Sequence, residues 1–231
     1  SIALTLVDLL RGSGNYATAI TYIQDRLQQR PDDADLLLRL ADIQRTQGNY
    51  PDALAALLKV EQANHTDSRV SSALGELYLT QGKPSDALAI YRAAINVQPA
   101  EANYYLKAAE LWQSQNNVDR AEETLRAGLD KATRPAALYA ALAKMALQRG
   151  QPDDANAILQ EGLQKVGEET DLVTAMGDYL VTKGADQAEQ WYHDVLTRQP
   201  QNGGLYIGLG NLELRVGKPT EAVTAYRQAI A

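Results

Sequence analysis

Leu74-Gly75-Glu76-Leu77-Tyr78-Leu79-Thr80-Gln81-Gly82-Lys83-Pro84-Ser85-Asp86-Ala87-Leu88-Ala89-Ile90-Tyr91 decides the fold. Upstream of Gly82, the residues Val70, Leu74, Leu77 and Tyr78 recur at the spacing of one helix face, and downstream Ala87, Tyr91, Ala94 and Ile95 do the same. Between the two stripes, Gly82 tolerates the left-handed backbone that ends a helix, and Pro84 suits the first turn of the next. The stretch predicts two helices joined by a tight turn.

The same stretch recurs along the chain. Gly14, Gly48, Gly82, Asn116, Gly150 and Gly184 each follow the last by 34 residues. Ala19, Ala53, Ala87, Ala121 and Ala155 keep the same step, Ala188 arrives one residue early, and Ala222 restores it, so one residue is missing from the sixth unit near Ala185. Pro31, His65, Pro99, Thr133, Gly167 and Pro200 close the units. A period of this length signals stacked repeats. Seven units follow, 1–33, 34–67, 68–101, 102–135, 136–169, 170–202 and 203–231. No single hairpin buries its own apolar faces, so the units must stack, and the expected fold is an all-α solenoid forming a single domain over 1–231. Ala41, Gly75, Ala109, Ala143, Gly177 and Gly210 are expected where helices approach closely, facing the alanine column of Ala53, Ala87, Ala121, Ala155 and Ala222.

Composition narrows the function. The 231 residues carry 22 Lys and Arg against 29 Asp and Glu, a net charge of −7, which argues against a phosphate-binding surface and so against nucleic acid. No apolar run approaches the roughly 20 residues of a membrane span, and Ser1 to Asp8 carry no basic leader, so the chain is read as soluble. Without cysteine there is no disulfide or thiolate chemistry. His65 and His193 have no further ligand at metal spacing, so neither a metal nor a cofactor is expected. The pairs Asp32-Asp33, Asp153-Asp154 and Glu168-Glu169 fall at helix starts, where capping explains them better than acid–base work. The glycine-rich Gly204-Leu205-Tyr206-Ile207-Gly208-Leu209-Gly210 follows the repeat and reads as helix packing, as do Tyr91, Tyr192 and Tyr226. Asn64-His65-Thr66 is a glycosylation acceptor pattern with no supporting context. No catalytic constellation survives, and a non-enzymatic chain is expected.

The third unit resembles the tetratricopeptide repeat through Leu74-Gly75, Tyr78, Gly82, Ala87, Tyr91, Ala94 and Pro99. The seventh resembles it through Tyr206, Leu209-Gly210, Gly217, Ala222, Tyr226 and Ala229, and the second through Leu40-Ala41, Gly48 and Ala53. Gly150 and Ala155 hold the matching positions of the fifth unit. The resemblance implies a right-handed superhelix whose first helices line a concave groove for a protein or peptide partner. Its groove column is Asp8, Asp42, Glu76, Glu110, Lys144, Asp178 and Asn211, with Arg39 beside it. Arg11 and Arg45 stand three residues after Asp8 and Asp42, and Lys107 three before Glu110, so these acids are expected to be neutralised on their own helices, leaving Glu76 and Asp178 open, with Asp171 nearby. The groove is therefore read either as an acidic channel for a basic or polar segment or as an ordinary solvated face. Leu4, Leu38, Ser72, Leu106, Ala140, Thr174 and Ile207 stand where related chaperone-binding domains clamp a terminal carboxylate, so that clamp is not expected. Leu38, Leu106, Leu79, Leu147, Val181 and Leu214 point instead to side-chain pockets. The expected role is an interaction scaffold, with a bacterial export or assembly segment, such as part of an exopolysaccharide secretion protein, and an enzyme's regulatory domain as alternatives. A bacterial cytoplasm or periplasm, leaning to the periplasm, is the expected location. The uncovered Val223, Tyr226 and Ile230 suggest an excerpt of a longer chain that self-associates through its ends.

Overall fold

Ala19, Ala53, Ala87, Ala121, Ala155, Ala188 and Ala222 are each 0 % exposed, so the column that defines the period is fully buried. The structure, a computed structural model, describes residues 2–64 and 67–230. His65 and Thr66, and with them most of the glycosylation acceptor pattern, lie outside the described residues.

Among the described residues there are fourteen helices and no strand. They alternate as first and second helices: α1 (Ile2–Gly12) and α2 (Tyr16–Gln29), α3 (Ala34–Thr46) and α4 (Tyr50–Ala63), α5 (Ser68–Thr80) and α6 (Pro84–Val97), α7 (Ala102–Ser114) and α8 (Val118–Leu129), α9 (Ala136–Gln148) and α10 (Pro152–Val166), α11 (Thr170–Val181) and α12 (Ala185–Arg198), α13 (Gly203–Arg215) and α14 (Pro219–Ala229). The chain is an all-α solenoid of helix-turn-helix repeats.

The turn inside each hairpin shows why the glycine column exists. Gly82 has φ +70°, its N–H donates to the Leu79 carbonyl at 2.9 Å, and the Lys83 N–H donates to the Tyr78 carbonyl at 2.9 Å. This paired bonding satisfies the last carbonyls of α5 and aims the chain into Pro84, the start of α6. Asn116 holds the same left-handed conformation at φ 58°, the amide side chain making that backbone tolerable. In the sixth unit Gly184 itself becomes the residue preceding α12, with φ 146°, and that is how the turn absorbs the missing residue.

Two compact units form, residues 1–99 with 110–116, and residues 100–109 with 117–231, the division falling within α7. In the first, α1 packs on α3 and α3 on α5, while Leu37, Leu57, Val60, Val70, Leu74 and Leu77 build a core between α3, α4 and α5. In the second, α9 packs on α11 and α11 on α13, and Tyr139, Leu159, Leu172, Met176, Tyr192, Leu205 and Leu209 continue the core through successive hairpins.

The close approaches differ from expectation in their partner. A Cβ on Gly75 would lie 2.3 Å from Tyr91 Cζ, one on Gly210 would lie 2.7 Å from Tyr226 Cε1, and Gly177 faces Tyr192 in the same way. What the glycines admit is the tyrosine ring of the second helix, whose Cα sits one turn beyond the alanine column. Tyr226 Oη passes the glycine and donates to Asn211 Oδ1 at 2.7 Å.

Candidate functional site

In each unit the successive first helices form a wall whose side chains follow the 34-residue columns. On α1, α3 and α5 the wall is closed by charge. Arg39 donates from Nε and Nη2 to the two carboxylate oxygens of Asp8, each at 3.0 Å. Arg45 Nη2 donates to Asp42 at 2.6 Å and its Nη1 to Thr80 Oγ1 at 3.3 Å, while Arg11 reaches across from α1 to Asp42. The Arg39 hydrogen bond holds the Asp8 carboxyl below the usual range. Burial pushes Asp42 upward, but the bonds and charges of Arg45 and Arg11 outweigh it and bring the net value below normal. The expected Arg45–Asp42 pair is present. Asp8, however, is bonded by Arg39 of the next hairpin rather than by Arg11 of its own helix, because an arginine spans the gap between neighbouring first helices and grips a carboxylate in bidentate fashion. Arg39, expected to face a partner, is committed to that grip.

On α7, α9 and α11 the same columns carry different chemistry. Where α3 has Arg39 and Arg45, α9 has Ala141 and Leu147, and α11 has Ala175 and Val181. Leu106 of α7, Ala137, Ala140, Ala141, Lys144 and Leu147 of α9, and Asp171, Thr174, Ala175 and Asp178 of α11 line a cavity of about 380 Å³. Its floor is apolar because four alanines stop at Cβ, and its rim is charged. Tyr192 of α12 is buried against Gly177 of α11. Burial pushes its hydroxyl pKa up to about 12, so the phenol stays neutral.

Asp178 is not the open acid the sequence suggested. Arg215, in the last turn of α13, reaches back to it with Nη2–Oδ1 at 2.9 Å. The exposed charges at this cavity without an ion-pair partner among the described residues are Lys144 and Asp171. Glu76 on α5 is likewise exposed and unpaired among the described residues. Asn211 is occupied by Tyr226. Lys107 falls in the second unit and Glu110 in the first. Ala137, Ala141 and Ala175 were not singled out in the sequence, yet the signal was there: Ala141 and Ala175 are 34 apart, as are Ala137 and Asp171.

The other singled-out residues have structural employment. Asp33 Oδ1 accepts the Leu36 N–H at 3.2 Å as the cap of α3, and Asp153 and Asp154 sit in the first turn of α10. Glu169 precedes α11 without a side-chain cap bond, while Glu168 grips Arg198 at 3.1 and 2.5 Å. Gly208 and Gly210 lie on α13 against the Tyr192 and Tyr226 rings. No described helix is long and apolar enough to cross a membrane. Among the described residues no group of three or more His, Asp or Glu is placed to hold a metal ion.

Comparison with known proteins follows the same lines. A tetratricopeptide repeat profile matches residues 10–77 and 78–145, and a second profile of the same description matches 136–161. No curated protein sequence matches the chain. Among solved structures, a tetratricopeptide repeat protein from Parabacteroides merdae superposes with a TM-score of 0.58 at 20 % identity, over 99 % of this chain and 91 % of that one. A thermophilic protein of the same description from Thermus thermophilus gives 0.51 at 24 % identity, over 78 % and 97 %. The Cut9–Hcn1 hetero-tetramer of the APC/C gives 0.53 at 15 % identity, over 93 % of this chain and 43 % of that one. With the profile covering more than half of its residues, this chain belongs to the tetratricopeptide repeat family.

Proposed function

We propose that this chain is a non-enzymatic docking scaffold, and that the cavity on α7, α9 and α11 receives apolar side chains of a partner protein segment. Repeats of this family generally mediate protein–protein interaction. The observation that carries the finer reading is the exchange of Arg39 and Arg45 for Ala141, Ala175 and Leu147 at the same repeat positions, which leaves an apolar hollow where the first unit has engaged charge. A small apolar anchor seated there buries its surface against alanine and leucine, while Lys144 and Asp171 on the rim orient the flanking residues.

The test is selection of peptides from a displayed library on the whole chain, followed by affinity measurement on variants. Ala175→Arg fills the hollow and should weaken a selected peptide at least tenfold, whereas Arg39→Ala in the first unit should leave affinity within twofold. Selected peptides that bind Ala175→Arg as tightly as the parent would refute the assignment.

A further inference from the structure

A second cleft lies between the second helices α12 and α14, with α13 as its floor, and its volume is about 540 Å³. It shares no face with the docking cavity, because Glu213 on its floor and the groove residue Asn211 stand two residues apart on α13, about 200° around the helix. Glu213 is 7 % exposed, and its Oε2 is buried with no hydrogen-bond partner among the described residues. Leaving such an oxygen unsatisfied is costly, and native structures do so rarely.

The equivalent cleft one repeat pair earlier shows what is missing. Between α8 and α10, Glu122 receives Arg126 at 2.8 Å and Arg149 at 2.5 Å, so its carboxylate is met by two built-in cations. Sixty-seven residues later the same positions hold Glu189 for Glu122, His193 for Arg126 and Val216 for Arg149, while Glu213 replaces Ala146. Lys218 satisfies Glu189 through both oxygens at 2.7 Å. Both arginines are gone, an acid has been added, and the remaining lysine is engaged elsewhere. The earlier cleft stays open at Leu142, Ala146 and Ile158, the positions of Leu209, Glu213 and Ala225, with the α11–α12 hairpin stacked beyond it, whereas Leu129 and Tyr139, the equivalents of Leu196 and Tyr206, pack into the core with Leu172 of α11.

We propose that the α12–α14 cleft binds a primary ammonium group on an alkyl stem, the ammonium received by Glu213 and the methylenes by Leu209 and Ala225. The geometry supplies both halves of such a site, a desolvated carboxylate at the bottom and apolar walls above it. Burial, with the charges of Glu189 and Glu221, pushes the Glu213 carboxyl above its usual range, and His193 and Lys218 pull it down. An arriving cation would favour its ionised form.

The experiment titrates the whole chain with 1,4-diaminobutane, with acetyl-Gly-Lys-Gly-amide and with the same peptide acetylated on its lysine, observing the Glu213 side-chain carboxyl carbon by NMR. Saturable binding of either charged probe is expected, with at least tenfold loss in Glu213→Gln and no change in Glu122→Gln. Tighter binding of the diamine identifies a free amine as the ligand, and tighter binding of the lysine peptide identifies a protein segment. Equal response to the acetylated peptide, unchanged affinity in Glu213→Gln, or no saturable binding by either charged probe would overturn the proposal. Glu213→Leu separates binding from folding: it should melt at a higher temperature than the parent, and a lower melting temperature in both Glu213 variants would assign the carboxyl a structural role and overturn it as well.

Discussion

Tyr192 is clamped from both sides, and the clamp can be measured through Gly177→Ala. A Cβ at Gly177 on α11 would lie 2.6 Å from Cε2 of the ring, and one at Gly208 on α13 would lie 2.9 Å from Cε1. The ring is 2 % exposed, so it cannot retreat from α11 without striking α13. Overpacking of this kind costs about 1–3 kcal/mol, and the confinement on two sides places this case in the upper half of that range. Replacing a helix-interior glycine by alanine returns about 1 kcal/mol of backbone entropy. The net expectation is a loss of about 1–2 kcal/mol, read by urea unfolding through the fluorescence of Trp191, whose indole N–H donates to the Val173 carbonyl at 2.9 Å in the same core. In a Tyr192→Leu background the obstruction is gone and the same substitution should stabilise by about 0.5–1 kcal/mol. The reversal of sign between backgrounds is the signature of direct contact. If Gly177→Ala shifts the midpoint equally in both backgrounds, the reasoning from the clamp fails.

Four further outcomes are expected. Gly82→Ala, forced to keep φ +70°, should cost about 1–2 kcal/mol although its Cβ meets no neighbour, whereas Asn116→Gly should be neutral to slightly stabilising; urea midpoints compare them. Ala87→Leu inserts three carbons into a site with 0 % exposure and should cost about 1–3 kcal/mol, an expectation that equal thermal midpoints for variant and parent would contradict. Asp8 and Asp42 have folded pKa values below their unfolded ones, so their contribution is present above about pH 4 and is lost as pH falls through the folded values; the double Asn variant should show a flatter acid limb in a pH series of unfolding midpoints. Glu213 has the opposite sign: its folded pKa is raised, so the native state holds the proton longer and stability falls as pH rises from the unfolded value through the folded one. Glu213→Gln should remove that decline, and a decline of equal slope in the variant would assign it to other groups.

The helices, their pairing and the turn chemistry were legible because they follow from local periodicity and from the few residues that tolerate a left-handed backbone. The buried alanine column was legible for the same reason. The ion pairs were only half legible. Arg45 meets Asp42 within one helix, a contact that spacing predicts. Arg39 to Asp8, Arg11 to Asp42 and Arg215 to Asp178 join neighbouring first helices, and their registry depends on how the helices stack. Attribution of the close approach failed for a related reason. Gly75 and Ala87 both keep the period, but the ring of Tyr91 fills the intervening space, and one-dimensional columns do not show which of several periodic residues reaches across.

Charge counting along the first helices left an acidic channel and an ordinary solvated face both open, and the pairing shows what a count leaves out. An acid gripped by an arginine offers a partner little, because a new contact must first break a bidentate bond and desolvate both ions again. On α1, α3 and α5 this applies to Asp8, gripped by Arg39 through both oxygens, and a like cost applies to Asp42, held by Arg45 on one oxygen and by Arg11 on the other. On α9 and α11 the columns that held those arginines hold alanine, leucine and valine, so no such bond stands in the way and apolar area can be removed from water directly. The column that is acidic at Asp8, Asp42 and Glu76 holds Lys144 and Asp178 on α9 and α11, and the residues beside it decide what each wall offers. Affinity on the second wall should therefore vary little with ionic strength in its apolar anchor and measurably in the residues that meet Lys144 and Asp171.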